Sequence, residues 1–372
     1  TTSFDGVDSQ ASGAGAVPTR PGGAAQASGH GVTLAFALES VHFGSAAGGA
    51  SPNAWKGYGF DLDHQCTDAT HDTQTSVCKP VPSEPQTSLV DGDGCRDNNF
   101  GALVTPLFET VRPTFESDTN TAISKGGNTW LVVVDDVDTG ADDAYAPGRL
   151  FIAAATPTGS TPVWDGTDTR FIEQSSVVGG DVNAPVVSFP HGFIRGHVWV
   201  SGEPAAFSAI ELPIGHVALL TSFASVVSTV VAFRLADDLS RVVSGTGTFA
   251  GALPMSQIEG VVGPFLGHEQ GICAGDGLYV TTLQKVRAYP DVVVETATLQ
   301  DPTKTCDGIS FGIGLELTPV RVATLVVDDP VPPPDPCSPS FDGGTVDSDQ
   351  GDGGVLDVVW IPTDGVSEVP FH

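Results

Sequence analysis

Basic residues are scarce in this chain of 372 residues. It carries 15 Lys and Arg against 45 Asp and Glu, which gives a formal net charge of −30 at pH 7. A surface of this sign repels the phosphates of nucleic acids and of anionic lipids, so both classes of partner are disfavoured. Apolar runs are also short, and the longest, such as Leu131–Val134, are strand-sized. A membrane-spanning helix needs roughly 18 or more consecutive apolar residues, so none is expected.

Motifs that would mark a signal peptide or a zinc site are missing. No basic segment followed by an apolar one begins at Thr1, so the chain is either cytosolic or has lost its signal peptide. No CxxC pair is present either. The six cysteines lie in polar, turn-rich segments, and an even number in such places predicts disulfides and therefore secretion. They are Cys66, Cys78, Cys95, Cys273, Cys306 and Cys337.

Catalytic motifs are absent as well. There is no GxSxG nucleophile elbow, and His268-Glu269 lacks the second histidine of an HExxH helix. His191 and His197 share a face of a predicted strand but have no third ligand nearby, which favours a structural or surface role. Disulfide-bonded cysteines cannot act as nucleophiles. A glycosidase-type pair of carboxylates stays open, because its members can be far apart in sequence, but a non-catalytic protein is favoured.

What the chain has in quantity is turn formers and apolar residues. Gly 45 and Pro 28 favour many short strands over long helices, and a hydrophobic fraction of 40% suffices for a core. We expect a disulfide-braced, all-β fold, mostly antiparallel and of sandwich or jelly-roll type, with one or two short helices. Residues 1–32 form a low-complexity leader, 33–328 the β-rich domain, and 329–372 a proline-rich spacer with an acidic tail.

Two segments have helical periodicity. Apolar residues recur at three- and four-residue spacing over 98–125, but Pro106 and Pro113 predict two short helices or one bent helix. A second short helix is expected over 254–266.

The disulfide pairing follows partly from counting. Three cysteines lie before residue 100 and three after 270, so an odd number of bridges must join the two groups. We expect a local Cys273–Cys306 bridge that closes a hairpin. One of the first three cysteines then pairs with Cys337.

Four stretches of the chain occur together in a familiar pattern. They are GYGFDLDHQCT, DGDGCRDNNFG, GICAGDGLY and TCDGISFGIGLEL. The combination resembles uncharacterised secreted or lipoprotein-type proteins of social, predatory soil bacteria, and the likeness spans roughly residues 57–320. It implies an extracellular location and disulfides but no catalytic residue. Because the chain begins at Thr1 rather than at a lipid-modified cysteine, a lipid anchor is not expected.

The first acidic cluster predicts a calcium site. Calcium takes six to eight hard oxygen ligands, which short carboxylates on glycine-rich loops can supply. The candidate ligands are Asp61, Asp63, Asp91, Asp93 and Asp97. An EF-hand is excluded, because the twelfth position counted from Asp91 is Ala102. The alternative is that these Asp-Gly pairs merely form turns.

Two further acidic clusters are weaker candidates. A second metal site would use Asp135, Asp136, Asp138, Asp142 and Asp143, whose mutual repulsion a cation would relieve. The alternative there is a solvated hairpin tip. The tail cluster comprises Asp342, Asp347, Asp349 and Asp352, and acidic tails are commonly loose.

The composition and motifs together favour a non-catalytic secreted or cell-surface protein. Its role would be structural or adhesive, for example as a subunit of an extracellular filament or layer, and calcium would stabilise it. Its partners would be copies of itself, other surface proteins or glycans. The alternatives are a carbohydrate-binding module, for which Trp164 in a loop is the best surface aromatic, and a secreted hydrolase.

Overall fold

The computed structural model describes most of the chain between residues 15 and 329. The described residues are 15–23, 25–45, 51–67, 77–81, 90–127, 129–154, 161–203, 210–214, 222–296, 298–329 and 337. The tail cluster Asp342, Asp347, Asp349 and Asp352 lies outside them, as do residues 1–14 of the expected leader and most of the expected spacer and tail.

Twelve strands of the described residues form one sheet, and nearly all neighbours are antiparallel, as the composition predicts. The strands are β1 (Val32–His42), β2 (Thr129–Val137), β3 (Gly148–Ala154), β4 (Thr169–Glu173), β5 (Val187–Phe189), β6 (Phe193–Arg195), β7 (Val198–Val200), β8 (Ile210–Ile214), β9 (Ser222–Arg234), β10 (Gly247–Pro254), β11 (Gly308–Pro319) and β12 (Arg321–Val327). Their order is β12-β4-β3-β2-β1-β11-β10-β9-β7-β6, with β5 beside β3 and β8 beside β9. Strands β12 and β4 run parallel.

The central strands are buried on both faces. In β2, Val132 and Val134 belong to the main core, whereas Leu131 and Val133 belong to a second cluster on the opposite face. This placement follows from the alternation of side chains along a strand. It also explains why β2 is a continuous apolar run rather than an alternating one.

The two layers expected of a sandwich come from this single sheet, which curls over on itself. Phe36 of β1 and Phe233 of β9 lie three strands apart in the order, yet their ring centroids are 5.5 Å apart. The curl is also closed by backbone hydrogen bonds, because Asp143 and Ile194 each donate N–H to the other's carbonyl at 2.8 Å. The main core therefore lies inside the curl.

Helices cover part of this core. A π-helical turn (Phe100–Val104) leads into α1 (Thr105–Val111), and α2 (Phe115–Ser124) follows. The chain is extended at Arg112, immediately before Pro113, so the prediction of two short helices is confirmed. The second predicted helix is also confirmed as α3 (Met255–Gln270).

A further helix, α4 (Gly277–Val286), was not predicted. It begins in the last three residues of GICAGDGLY and continues to Val286, within the segment where a hairpin was expected. Among the described residues, no helix is both long and apolar enough to cross a bilayer.

All six cysteines form disulfides, as predicted, but the expected pairing is wrong in detail. The bridges are Cys66–Cys95, Cys78–Cys306 and Cys273–Cys337. One bridge joins the two groups, in agreement with the odd count. The predicted Cys273–Cys306 bridge does not form, because Cys306 lies beside the segment of Cys78, where Cys306 N–H donates to the Lys79 carbonyl at 2.9 Å. Cys337 pairs with Cys273 and not with a cysteine of the first group.

Part of the expected leader packs against the domain. The Gly15 carbonyl accepts a hydrogen bond from Asp61 N–H at 2.8 Å, and Val17 packs on an apolar cluster. A Cβ atom on Gly15 would lie 2.2 Å from the Gly94 carbonyl oxygen, so only glycine fits this approach. The small residues of this segment therefore allow close backbone contact with the domain. The low-complexity composition had instead predicted a leader outside the domain.

Candidate cation site

Two of the predicted acidic segments lie side by side. The backbone N–H of Asp97 donates to the Phe60 carbonyl at 2.9 Å, and that of Asp91 donates to the Thr67 carbonyl at the same distance. The Cys66–Cys95 bridge joins the same two segments. Two backbone hydrogen bonds and one disulfide thus hold the segment that contains DLD (residues 61–63, here called the DLD segment) against the glycine-rich loop (residues 91–97).

Carboxylates converge where these segments meet. Asp61, Asp63 and Asp97 each offer a ligand atom within 4.8 Å of the others. A cavity of about 20 Å³ adjoins them, and its acidic lining residues are Asp63, Asp91, Asp97 and Asp291. A volume of about 10–15 Å³ already admits one water-sized particle, so the cavity has room for a single ion.

The backbone orients the carboxylates of this cavity. Asp97 Oδ2 accepts the N–H groups of Leu62 at 2.6 Å and Asp63 at 3.0 Å. Asp91 Oδ2 accepts the Thr67 N–H at 2.6 Å. Backbone donors hold one oxygen of each group, which limits how far these side chains can rotate.

One oxygen of the cluster has no donor at all. Asp61 Oδ1 is buried and accepts no hydrogen bond from the described residues. Leaving a buried carboxylate oxygen unpaired costs free energy that a hydrogen bond or a metal ion would offset. Asp61 is one of the three residues whose ligand atoms converge.

Burial and mutual repulsion raise the pKa values throughout the cluster. Burial is the largest cause in each case, and it raises the pKa of Asp63 to about 7 and that of Asp91 to about 8. Burial followed by the charges of Asp63 and Asp91 raises the pKa of Asp97 well above its ordinary value. Carboxylates supply the charges that act on these three groups, whereas Asp61 also feels the charge of His64. A bound cation would relieve the repulsion among the carboxylates.

Asp291 belongs to the cavity although the sequence analysis missed it. Ser310 of β11 donates both its N–H, at 2.8 Å, and its hydroxyl to this carboxylate. Burial raises the pKa of Asp291 to about 7. The residue lies almost two hundred positions after Asp97, in an apolar stretch with no other acidic residue within three positions, so no local cluster indicated it.

Asp93 stands apart from the other predicted ligands. Its side chain is exposed, its N–H donates to the Lys56 carbonyl at 2.8 Å, and its carbonyl accepts from the Arg96 guanidinium. It does not line the cavity. The structure therefore brings together four of the five predicted residues and adds Asp291.

The second predicted cluster is not brought together in this way. Asp135 pairs with the Arg149 guanidinium through two hydrogen bonds of 2.8 Å, and Asp143 accepts the N–H groups of Asp138 and Tyr145. Asp136 accepts the N–H groups of Ser28 and Gly31, and Asp142 accepts that of Gly196. Among the described residues, no three of these five carboxylates form a group of converging ligands.

The two candidate histidines also have separate surroundings. His197 Nε2 lies 3.8 Å from Asp237 Oδ1, whereas His191 is exposed and its carbonyl accepts from the Arg20 guanidinium at 2.6 Å. Neither belongs to a group of converging ligands within the described part of the chain.

Comparisons with known proteins give no match: no family model, no curated protein and no solved structure matches this chain. The resemblance to secreted proteins of predatory soil bacteria therefore stays a prediction. The function has to be argued from the cavity and its surroundings.

Proposed function

We propose that this chain is a non-catalytic secreted or cell-surface protein with a structural or adhesive role, whose fold is completed by one calcium ion. The observation that carries the proposal is the buried cavity lined by four carboxylates, with Asp61 Oδ1 unpaired beside it. Buried charges in proteins are paired or coordinate metals. The charges that act on the fully buried Asp97 are those of other carboxylates, Asp63, Asp91 and Asp291.

The ligand chemistry favours calcium over other metals. The converging side chains offer only carboxylate oxygens, which suit hard cations, whereas zinc prefers cysteine and histidine. The ligands come from irregular loop segments, and calcium tolerates irregular geometry with six to eight oxygens. Magnesium demands a near-ideal octahedron and keeps several of its waters.

Two disulfides preorganise the site. Cys66–Cys95 joins the segments that carry Asp63 and Asp97, and Cys78 Sγ lies 3.2 Å from the Asp291 carbonyl. Disulfides persist in oxidising, extracellular environments, where millimolar calcium sites also occur. The two features support the same compartment.

The size of the cavity supports a structural role for the ion. About 20 Å³ accommodates an ion but no organic substrate beside it. A catalytic metal keeps an open position for water or substrate. The ion would instead link the loop, the DLD segment and Asp291 next to β11.

The test is thermal unfolding of the full chain after treatment with a chelator. Addition of calcium at a hundredfold excess over Kd should stabilise the protein by about 2.7 kcal/mol. Asp97→Asn should abolish most of this gain, because it removes a central ligand charge. The matched control is Asp93→Asn, which changes the same chemical group on the same loop and should keep the gain.

A comparison of salts distinguishes specific calcium binding from general screening of the negative surface charge. Sodium chloride at matched ionic strength should stabilise much less than calcium, and magnesium should also do less. Equal stabilisation by sodium would contradict the proposal. An Asp97→Asn protein that responds to calcium as the native protein does would contradict it too.

A further inference from the structure

A second concave site lies away from the acidic cavity. Strands β1 and β11 form its floor, and two loops, 161–168 and 236–246, contribute its sides. Its volume is about 800 Å³, which lies within the usual range for small-molecule sites. Its lining includes Glu39, Trp164, Arg241, Ser244, Glu316 and Thr318. We call this site the groove.

Trp164 is held rigidly in the wall of the groove. Its backbone is in the left-handed region, with φ of 57°, and its indole N–H donates to the Ser124 carbonyl at 3.2 Å. The Arg170 guanidinium lies over the ring, 4.3 Å from its centroid. The position of the indole is thus fixed from the backbone, the ring edge and one ring face.

Arg170 is an unusual support for this ring. The residue is 0% exposed, and among the described residues none of its three guanidinium nitrogens has a hydrogen-bond partner, although the charge of Asp168 acts on it. A buried arginine without hydrogen bonds is costly, and attraction to an aromatic face is one of the few interactions that offset the cost. Trp164 also packs against two apolar clusters, so the part of the ring that borders the groove is the part that these contacts and Arg170 leave open.

From this arrangement we infer that the groove binds a neutral oligosaccharide. A rigid aromatic face offers the apolar surface on which the C–H face of a sugar ring packs. Around it, Glu39 accepts the Thr318 hydroxyl through Oε2, and Glu316 accepts the Gly245 N–H through Oε1 at 2.8 Å. The second oxygen of each carboxylate can accept a hydrogen bond from a sugar hydroxyl. The groove is large enough for several sugar units.

The charges of the groove argue against ionic ligands. Three carboxylates, Glu39, Asp165 and Glu316, line the groove against one guanidinium, that of Arg241, and together with the net charge of −30 they disfavour anions. An organic cation on the ring of Trp164 would be repelled by Arg170, which already occupies one face. A neutral ligand avoids both penalties.

This inference does not depend on the calcium proposal. The groove and the acidic cavity share no lining residue, so either site can fail while the other stands. If the groove binds glycans, it supplies the adhesive role proposed above with its partner class.

The experiment is a calorimetric titration of the full chain with three neutral probes, cellohexaose, maltohexaose and N-acetylchitohexaose, and with spermine as a cationic probe. At least one hexasaccharide should bind with a Kd of about 1 mM or tighter, and spermine should not compete for it. Trp164→Ala should weaken binding about tenfold. The control is Val163→Ala, which alters the exposed neighbour outside the groove.

A second variant is needed because Trp164→Ala leaves Arg170 without its aromatic partner and can unfold the protein. Ser244 is exposed on the opposite loop, so Ser244→Trp should fill the groove and abolish binding, while Ser244→Ala retains it. The inference is wrong if none of the three hexasaccharides binds. It is also wrong if Ser244→Trp binds as well as the native chain, or if spermine displaces the sugar.

Discussion

Asp97 is the residue on which the cation site depends most. It is 2% exposed, accepts two backbone N–H groups and lies among Asp61, Asp63 and Asp91. In the absence of a cation, the charged forms of these carboxylates are disfavoured by burial and by one another. The cluster therefore binds protons when it does not bind metal.

Without calcium, the free energy of unfolding should fall as the pH rises. Burial raises the pKa of Asp63 and Asp291 to about 7 and that of Asp91 to about 8. Between pH 4 and these values the folded chain holds more protons than the unfolded chain, so folding is favoured at low pH and this stability is lost on titration to neutral pH. Each unit of pKa shift corresponds to about 1.4 kcal/mol.

Urea unfolding in the presence of a chelator measures this effect. The midpoint should be higher at about pH 5 than at about pH 8, and saturating calcium should reduce the difference. Asp97→Asn should also flatten the pH dependence, because a neutral amide needs no proton. A chelated protein that gains stability over this interval would show that the carboxylates are not buried together.

The sequence predicted most of these ligands but could not complete the set. The strand expected to carry Asp61 and Asp63 does not form, since Asp61 makes only an isolated bridge with Ala16. The Cys66–Cys95 bridge instead holds their segment beside that of Asp97. Asp93 has the same residue type and loop context as its neighbours, so only its exposed side chain distinguishes it. Asp291 joins through its hydrogen bonds to Ser310, a long-range contact without a local signature.

Three of the four familiar motifs meet at β11. Gly312 of this strand lies against Gly59 of the GYGFDLD motif, and Asn98 of the DGDGCRDNN motif bonds it twice. Asn98 Nδ2 donates to the Gly312 carbonyl at 2.9 Å, and Gly312 N–H donates to Asn98 Oδ1 at 2.8 Å. The motif residues therefore hold the loops of the cation site onto the sheet.

Gly312→Ala should destabilise the protein by about 1–3 kcal/mol, as overpacking does. A Cβ atom at this position would lie 2.6 Å from the backbone of both Tyr58 and Gly59. The matched control is Gly260→Ala in the middle of α3, where nothing lies within 4 Å, and it should be neutral or stabilise by about 1 kcal/mol. Chemical unfolding checks both, and equal effects would contradict the close approach.

Helix α4 shows where periodicity was overlooked. Its buried residues Leu283 and Val286 are three positions apart, and Asp276 precedes its first turn. The expected Cys273–Cys306 hairpin assigned this region to strands. Nearness in sequence misled the pairing, because α4 and the segment after it carry Cys306 to the strand bridge with Lys79.

Disulfides connect distant parts of the whole molecule. Cys78–Cys306 closes a separation of 228 residues, whereas Cys273–Cys337 closes one of 64. The chain-entropy model predicts that the longer bridge contributes about 1 kcal/mol more, since it restricts the unfolded chain further. Replacing Cys78 and Cys306 together by alanine should lower stability more than the same change at Cys273 and Cys337.

Calcium affinity adds a second distinction between these bridges. Cys78 contacts the segment of Asp291, so the Cys78/Cys306 double variant should also bind calcium more weakly, while the Cys273/Cys337 variant should not. Unfolding in denaturant with and without calcium measures both effects. The reverse order of the two variants would contradict this assignment of roles.

The order of the strands in the sheet could not be predicted from local sequence patterns. The abundance of turn residues correctly predicted many short strands, but β1 pairs with β11, which lies near the other end of the described chain. The curl arises from contacts such as that of Phe36 with Phe233, whose partners no periodicity reveals. Local signals specify which segments are extended, whereas long-range packing decides their order.

Isothermal titration of the chelated full chain with calcium, at about pH 7 and in two buffers of different ionisation enthalpy, tests the central claim most directly. We expect about one calcium ion per chain, with proton release, because carboxylates whose pKa values lie near 7 to 8 must ionise to bind metal. Asp97→Asn should abolish the signal and Asp93→Asn should preserve it. Absence of binding heat in both buffers, or binding that survives Asp97→Asn, would contradict the account.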